Sequence, residues 1–507
     1  MATGILAALK SFFSRETSPV GVVDIGSNSV RLVIYRGDIS VPVPLFNERV
    51  LCGLGRTVVR TGSLDKEGVA LALEALRGFS AVAEIVGVGQ IFAVATAAIR
   101  DAHNGDNFVA AAEETLGTPI RQISGVEEAH LAARGVLMGM GEVHGIVGDL
   151  GGGSLELAGV IEGRVTEAVS FPLGVLRLMN EERSFKKITA LIDKTLSGEE
   201  WLSDFEDRDF YAVGGTWRNL ARLYMYRQSY PLHALHQYAV SVADVEGMED
   251  AVAWLQNQEI AVTVPNVSRQ RVPTFPFGLL VLSQVLARQG ASRVVFSDYG
   301  LREGVLAESV MPVHDKDFDP LMDSASLLAA RLGRHEGYGE EVTLWCAPLF
   351  AEDTSHKECV VHTRLRRAAC LMSDIGWAVH ADDRAMCCVN QIVQALLPGI
   401  DHMGRAFLAA VLFYRHETNI ALPSFIEQFH LIDKERAQVL GYALRLADAL
   451  SASIPGVLPR MSLKRTDKTI TLSLPPDLAK LGGGVPAKRL RQLAKLLKCE
   501  GGIETAS

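Results

Sequence analysis

Two segments of this chain repeat one another: Asp24-Ile-Gly-Ser-Asn-Ser29 and Asp149-Leu-Gly-Gly-Gly-Ser154. With Asp149 set on Asp24, Gly26 falls on Gly151, Ser29 on Ser154 and Leu32 on Leu157. Each segment sits between runs of β-branched and apolar residues, Val20–Tyr35 around the first and Gly145–Val160 around the second. That pattern predicts strand, tight polar turn and strand in both places. So widely spaced a repeat duplicates a whole domain rather than a short solenoid unit. Two similar α/β halves facing each other across a cleft are expected.

The rest of the first half fits alternating strands and helices. Helical spacing covers Asp65–Ile85, Gly105–Leu116 and Val126–Met138, with strands at Ile91–Ala95 and Ile120–Ile123. Pro312–Pro320 is polar and reads as a linker. Beyond it strand signals fade. Leu321–Leu332, Leu365–Ile375, Met386–Leu397, Ala406–Phe413 and Ala437–Leu450 carry helical apolar spacing. A small hairpin over Met461–Leu474 and a basic helix over Val485–Leu497 close the chain. The expected divisions are an N-terminal extension at 1–18, α/β halves at 19–133 and 134–311, a helical domain at 312–459 and a small α/β segment at 460–507.

Bulk properties narrow the function. With 507 residues, 48% hydrophobic and 21% charged, the chain is of ordinary globular type. Its 50 basic against 59 acidic residues argue against a nucleic-acid duplex as partner. A local basic groove for another polyanion stays open. Seven cysteines without metal or redox spacing predict reduced thiols and a cytoplasmic protein. No apolar run reaches the roughly 18 residues of a membrane helix, so no integral membrane contact is expected.

The turn chemistry points to phosphate. Small residues at a strand tip expose successive backbone N–H groups, a concavity that suits phosphate oxygens. Gly26, Ser27, Asn28 and Ser29 form one such loop; Gly151, Gly152, Gly153 and Ser154 form the other. Either alone reads as a satisfied hairpin turn; two in matching frames favour phosphate. An aspartate at each entry, Asp24 and Asp149, would repel a phosphate unless a cation lay between, and Mg²⁺ is the natural choice. Arg100 follows a strand end, as a phosphate clamp or as a salt bridge with Asp101. Glu127 and Glu128 open a helix, where first-turn acids are common without any catalytic role. Glu156 shares a strand face with Ser154. A third small-residue turn, Gly214-Gly215-Thr216, precedes a helix, and a fourth is Gly300-Leu-Arg-Glu-Gly304.

Seven of these segments, in order, resemble the exopolyphosphatase / guanosine pentaphosphate phosphohydrolase family. They are Asp24-Ile-Gly-Ser-Asn-Ser, Ala95-Thr-Ala-Ala-Ile-Arg, Ile123-Ser-Gly-Val-Glu-Glu-Ala, Asp149-Leu-Gly-Gly-Gly-Ser-Leu-Glu, Pro172-Leu-Gly, Gly214-Gly-Thr and Gly300-Leu-Arg-Glu-Gly. The resemblance implies two ribonuclease H-like halves of the actin, sugar kinase and Hsp70 superfamily, then a mostly helical HD-like domain. It implies Glu128 as general base, with Asp149 and Glu156 serving the catalytic water. It also implies Mg²⁺ near Asp24, Asp149 and Glu156, and substrate phosphates on Arg100, both loops and Gly214, Gly215 and Thr216. Inorganic polyphosphate is the expected substrate, with guanosine pentaphosphate the alternative and a homodimer the expected assembly. A sugar-kinase-like ATPase and a non-catalytic polyphosphate sensor are the readings from other classes.

In the helical half, Leu371-Met-Ser-Asp-Ile-Gly376 stands where metal-dependent HD proteins carry a His-Asp pair, with Ser373 in place of the histidine; Arg445-Leu-Ala-Asp448 matches the later aspartate segment. Without one of two adjacent ligands, tight metal binding there is not expected. His356, His362, His380, His402 and His416 are then ordinary polar or core residues. Arg364, Arg366 and Arg367 line a polyanion path or form a solvated face.

Overall fold

The structure is a computed structural model that describes residues 18–36, 41–181, 183–256, 264–310, 318–350, 358–418, 420–430 and 432–505. The expected N-terminal extension, most of the expected linker and His356 fall outside these residues. Two compact units are present. One comprises residues up to 318 apart from Pro231–Ala234; the other comprises Pro231–Ala234 and Asp319–Ser507.

The first unit carries two sheets. Strands β1 (Val20–Ile25), β2 (Ser29–Tyr35), β3 (Pro44–Leu51), β4 (Gln90–Ala95) and β5 (Ile120–Gln122) pair in the order β3-β2-β1-β4-β5. The first three are antiparallel; β4 and β5 add in parallel. Strands β6 (Gly145–Leu150), β7 (Leu155–Ile161), β8 (Arg164–Phe171), β9 (Asp209–Val213), β10 (Tyr238–Ser241) and β11 (Arg293–Phe296) pair in the order β10-β11-β9-β6-β7-β8. Set β6 on β1 and the order repeats, with β10 an added antiparallel edge. This is the duplicated ribonuclease H-like architecture that the two loops predict.

The repeat extends to single hydrogen bonds. Gly26 N donates to Ser29 O at 3.0 Å, and Gly151 N donates to Ser154 O at 3.0 Å. Asp24 stands directly across from Arg31, and Asp149 directly across from Glu156.

Helix α1 (Lys66–Val86) is capped by the Asp65 carboxylate and, with α2 (Gly105–Leu116), buries leucines and phenylalanines on the outer face of the first sheet. Helix α3 (Gly125–Met140) lies between the sheets. Leu131 and Met138 pack with Val22, Val33 and Val94 of the first sheet; Ala129, Ala133 and Val136 pack with Val147, Ala158 and Val213 of the second. Helices α4 (Gly215–Arg227) and α5 (Phe275–Gln289) cover the far face of the second sheet, where Trp217 meets Phe210 edge-on. Helix α6 (Leu301–Val310) crosses α3 at backbone contact. A Cβ on Gly304 would fall 1.8 Å from Leu131 O, and one on Gly135 2.0 Å from Gly300 O. Only glycine permits that crossing, in which α6 runs back along α3.

The second unit is mostly helical: α7 (Pro320–Leu332), α8 (Tyr338–Cys346), α9 (Val360–Leu371), α10 (Arg384–Gln394), α11 (His402–His416) and α12 (Lys434–Ser451). A three-stranded sheet of β12 (Ser462–Arg465), β13 (Thr469–Leu474) and β14 (Glu500–Thr505) follows, with α13 (Gly484–Leu496) before its last strand. The expected hairpin is β12–β13; the parallel strand β14 is not part of that expectation.

Arginines lock this unit internally. Buried Arg405 gives its guanidinium to the carbonyls of Ile392, Ala395 and Leu397, satisfying the end of α10. Arg364 holds Asp319, the N-cap of α7, at 2.6 and 2.7 Å. Arg366 is buried against Glu358, and Arg367 pairs with Glu340 at 3.0 Å. All three arginines, read as a polyanion path or a solvated face, are ion-paired within this unit, and Arg367 lies on its surface. Asp374 and Asp448, the two aspartates expected at HD-like positions, are bridged by guanidinium groups: Arg334 reaches them at 2.7 and 3.1 Å, and Arg415 at 3.3 and 3.5 Å.

Candidate active site

Both loops belong to the first unit, and they meet. A Cβ on Gly152 would lie 2.7 Å from Ser27 Oγ, and the atom nearest a Cβ on Gly153 is Ala97 Cβ of the first half, at 3.9 Å. The turns of the two halves therefore face one another over a narrow space. The main chain of Asn28 is tied down: its carbonyl accepts from Cys52 N and Gly53 N at 3.1 and 3.0 Å.

The carboxylates gather beside the second loop. Glu127 and Glu128, adjacent in sequence, divide two roles. Glu127 completes a capping box with Ser124: its Oε2 accepts from Ser124 N at 2.9 Å while its Oε1 accepts from Arg121 at 2.8 Å. Glu128 turns the other way and is buried, its Oε2 without any partner. An orphaned buried carboxylate oxygen costs folding energy, so its persistence marks a site that uses it. The start of α3 is pressed onto β8, because a Cβ on Gly125 would fall 2.4 Å from Ser170 Oγ. Ser170 in turn donates to Glu156 Oε1 at 2.8 Å. This seats Glu128 in the field of Glu156.

Three carboxyls consequently titrate high. Burial pushes Glu128 well above the ordinary range, and the charges of Glu156, Asp149 and Asp24 push it further. Burial raises Glu156 to about 8, and Asp149 adds to the rise. Burial raises Asp149 to about 6, against the pull of Arg218. Arg100 opposes the first two. Its Nη1 donates to Ile123 O at 2.9 Å beside the α3 cap, and it pairs with Asp101 at 3.4 Å. The expected salt bridge of Arg100 with Asp101 is present.

A group of arginines faces these acids. Arg302 Nη1 is 3.3 Å from Asp24 Oδ2. Arg31 is held down at about 10 by burial and by the charges of Arg302 and Arg218. Burial holds Arg271 at about 10 as well, with Arg49, Arg218 and Arg31 adding to the effect. Like charges kept together and partly desolvated suit a polyanion. Sequence reasoning missed most of them as site residues. Arg218 and Arg302 lie inside the Gly214-Gly-Thr-Trp-Arg and Gly300-Leu-Arg segments, where arginine content was the available signal; Arg271 lies in no motif.

The Gly214 turn divides. Gly214 adopts φ 105° with its Cα against Leu150, and Gly215 packs on the Arg271 guanidinium, where a Cβ would fall 2.4 Å from its Cζ. Thr216 does not reach the cleft. It is fully buried, its hydroxyl 3.3 Å from that of Thr274, because the first turn of α4 points it at α5 rather than at the loops.

The donors can be tested against a divalent ion. Among the described residues no three His, Cys, Asp or Glu side chains are grouped as a ready-made cage. Asp24 is engaged by Arg302, and Glu156 by Ser170. That fits a hard cation held by one or two carboxylates and completed by water and substrate oxygens, and does not fit a cage of protein ligands.

A duplicated ribonuclease H-like fold with paired Gly/Ser loops, a buried orphaned carboxylate and a group of arginines has the parts that a phosphohydrolase needs. Comparison with known proteins agrees. Residues 33–312 match the Ppx/GppA phosphatase family, and residues 321–500 match the family described as exopolyphosphatase, C-terminal. The chain belongs to the Ppx/GppA phosphatase family and is a phosphoanhydride hydrolase. It is 26% identical over 306 residues to Exopolyphosphatase 1 of Mycobacterium leprae, covering 57% of this chain and 88% of that protein. Among solved structures it resembles an exopolyphosphatase-like protein at 25% identity and TM-score 0.51, over 58% of this chain and 98% of that one. It also shares the fold of an exopolyphosphatase from Cytophaga hutchinsonii, at 22% identity and TM-score 0.52, over 58% and 97% of the two chains.

Proposed function

We propose that this protein is an exopolyphosphatase, releasing terminal orthophosphate from inorganic polyphosphate by water attack with Glu128 as general base. The observation that carries the reading is the orphaned, buried Oε2 of Glu128 beside the paired loops. With the Gly26 and Gly151 N–H groups closing the turns, the other backbone N–H groups of the two loops, over Ser27–Ser29 and Gly152–Ser154, hold the terminal phosphoryl oxygens. Arg31, Arg218, Arg271 and Arg302 take the charge of the phosphates behind it. Glu128 accepts a proton from the attacking water as the new P–O bond forms. The anhydride P–O bond breaks, and the shortened chain leaves with the bonding electrons on its oxygen. Asp149 and Glu156 keep Glu128 basic by their charge. Asp149, with Asp24 and Glu156, would hold a bound Mg²⁺, which would supply charge neutralisation for the phosphate oxygens.

The names of the relatives support polyphosphate as the substrate, and the row of arginines suits a long polyanion better than a short one. Reaction in the cytoplasm is supported by seven cysteines without disulfides. Among the described residues no helix is long and apolar enough to cross a membrane. A homodimer rests on the family resemblance and is read by light scattering. The test of substrate is orthophosphate release with Mg²⁺ from long-chain polyphosphate and, in parallel, from guanosine pentaphosphate. A higher kcat/KM on polyphosphate supports the proposal; turnover of the pentaphosphate alone overturns it.

A further inference from the structure

The helical unit contains a second convergence of arginines, on residues that the cleft does not use. A cavity of about 320 Å³ there is lined by five arginines and two aspartates. Arg334 and Arg415 are matched to Asp374 and Asp448 by the ion pairs described above. The other three arginines have only neutral carbonyl partners. Arg384 donates to Val379 O and Trp377 O at 2.9 and 3.0 Å, Arg445 donates to His416 O at 2.9 Å, and Arg489 donates to Arg445 O. Five guanidinium groups against two carboxylates leave an excess of positive charge in one concave space.

One buried polar atom beside them is also unsatisfied: His416 Nε2, whose ring lines the cavity, has no partner. Excess positive charge and an orphaned ring nitrogen cost folding energy unless something occupies the space. Guanidinium forks match phosphate oxygens, and an anion of two or three charges balances three arginines where a monocarboxylate does not.

We infer that this pocket binds a phosphate-bearing anion, held by Arg384, Arg445 and Arg489. His416 is pushed down to about 3, by burial and then by Arg415 and Arg384, so its ring is neutral at working pH and does not repel the arginines' demand for an anion. Trp377, 43% exposed at the pocket, offers an indole face that a nucleotide base can stack on and an inorganic phosphate chain cannot.

Arginine footprinting on the full chain tests this. The protein is labelled with phenylglyoxal in the presence of imidodiphosphate, which resists hydrolysis, or of ADP, and the labelled peptides are read by mass spectrometry. Arg384 and Arg489 are expected to lose at least fivefold of their labelling, with one shared midpoint below 1 mM, while exposed Arg77 is unaffected. Arg384→Gln and Arg489→Gln should each raise the midpoint at least tenfold and leave hydrolysis at the cleft unchanged. Equal protection by both probes identifies an inorganic phosphate ligand. Tenfold tighter protection by ADP, lost in Trp377→Leu, identifies a nucleotide. Unchanged labelling of both arginines, or protection only above 10 mM, overturns the inference. Footprinting of the unsubstituted protein decides even where a variant fails to fold, and its readout is independent of the assignment of Glu128.

Discussion

Arg302 Nη1 lies 3.3 Å from Asp24 Oδ2, joining the start of α6 to the first phosphate loop across 278 positions of sequence. Both side chains are mostly buried, and the Glu303 and Asp24 charges hold the Arg302 guanidinium firmly protonated against burial. Removing one partner of such a pair strands the other. Arg302→Met should therefore cost about 3 kcal/mol of stability. Asp24→Asn in the same chain should recover much of that, as a double-mutant cycle in urea would show. Additive losses from the two substitutions would contradict the pairing.

The loop glycines give a steric contrast. A Cβ on Gly174 would fall 2.3 Å from Gly153 C and Ser154 N, so Gly174→Ala must displace the second loop and lower both stability and activity. A Cβ on Gly153 meets nothing closer than 3.9 Å. Gly153→Ala should leave the melting temperature within about 2 °C, in keeping with the small effect of a substitution that strains nothing. Its KM should nonetheless rise about tenfold or more, because the new methyl takes space that the account gives to a phosphate. An unchanged KM would remove the phosphate from that position.

The raised carboxyls set the pH dependence of catalysis. Glu128 works as a base only when ionised, and burial with the Glu156 charge holds its proton on. The rate should therefore climb with pH through the neutral-to-alkaline range rather than level off near pH 5. Glu156→Gln removes one of the charges that raise Glu128, so the residual activity should climb at lower pH than the parent. A shift to higher pH would mean that Glu156 helps Glu128 lose its proton.

The same shifts oppose folding. A carboxyl whose folded pKa is raised binds protons more tightly when folded, so its penalty is absent below the unfolded value and complete above the folded one. For Glu156 that window runs from about 4.5 to about 8. Without divalent ion, the melting temperature should fall between pH 5 and pH 8. Glu156→Gln should flatten the fall, as calorimetry across that range would show.

The sequence made the two hairpins legible, because Gly and Ser clusters between β-branched runs have one local meaning and occur twice in frame. Their register, with Asp24 across from Arg31 and Asp149 across from Glu156, follows from turn length alone. What stayed illegible depends on facing. Ser124-x-x-Glu127 is a capping-box spacing, an overlooked local signal that assigns Glu127; the burial of Glu128 shows only in the packed fold. Thr216 looked like a loop hydroxyl, but the direction in which α4 starts sends it into the core. The arginine group draws Arg31, Arg218, Arg271 and Arg302 from four separate segments, so only the packed halves assemble it. Strand β14 escaped because Glu500-Gly-Gly-Ile-Glu-Thr505 has no strand propensity of its own and is held by parallel pairing with β13.

The most direct measurement compares Glu128→Gln with the parent on long-chain polyphosphate and Mg²⁺, read as orthophosphate released and as melting temperature. Loss of a positioned base predicts a fall of about 10²- to 10⁴-fold in kcat with little change in KM. Removing an orphaned buried carboxyl predicts a melting temperature equal to or above the parent's. A Glu128→Gln protein that folds and hydrolyses polyphosphate within about threefold of the parent would contradict the account.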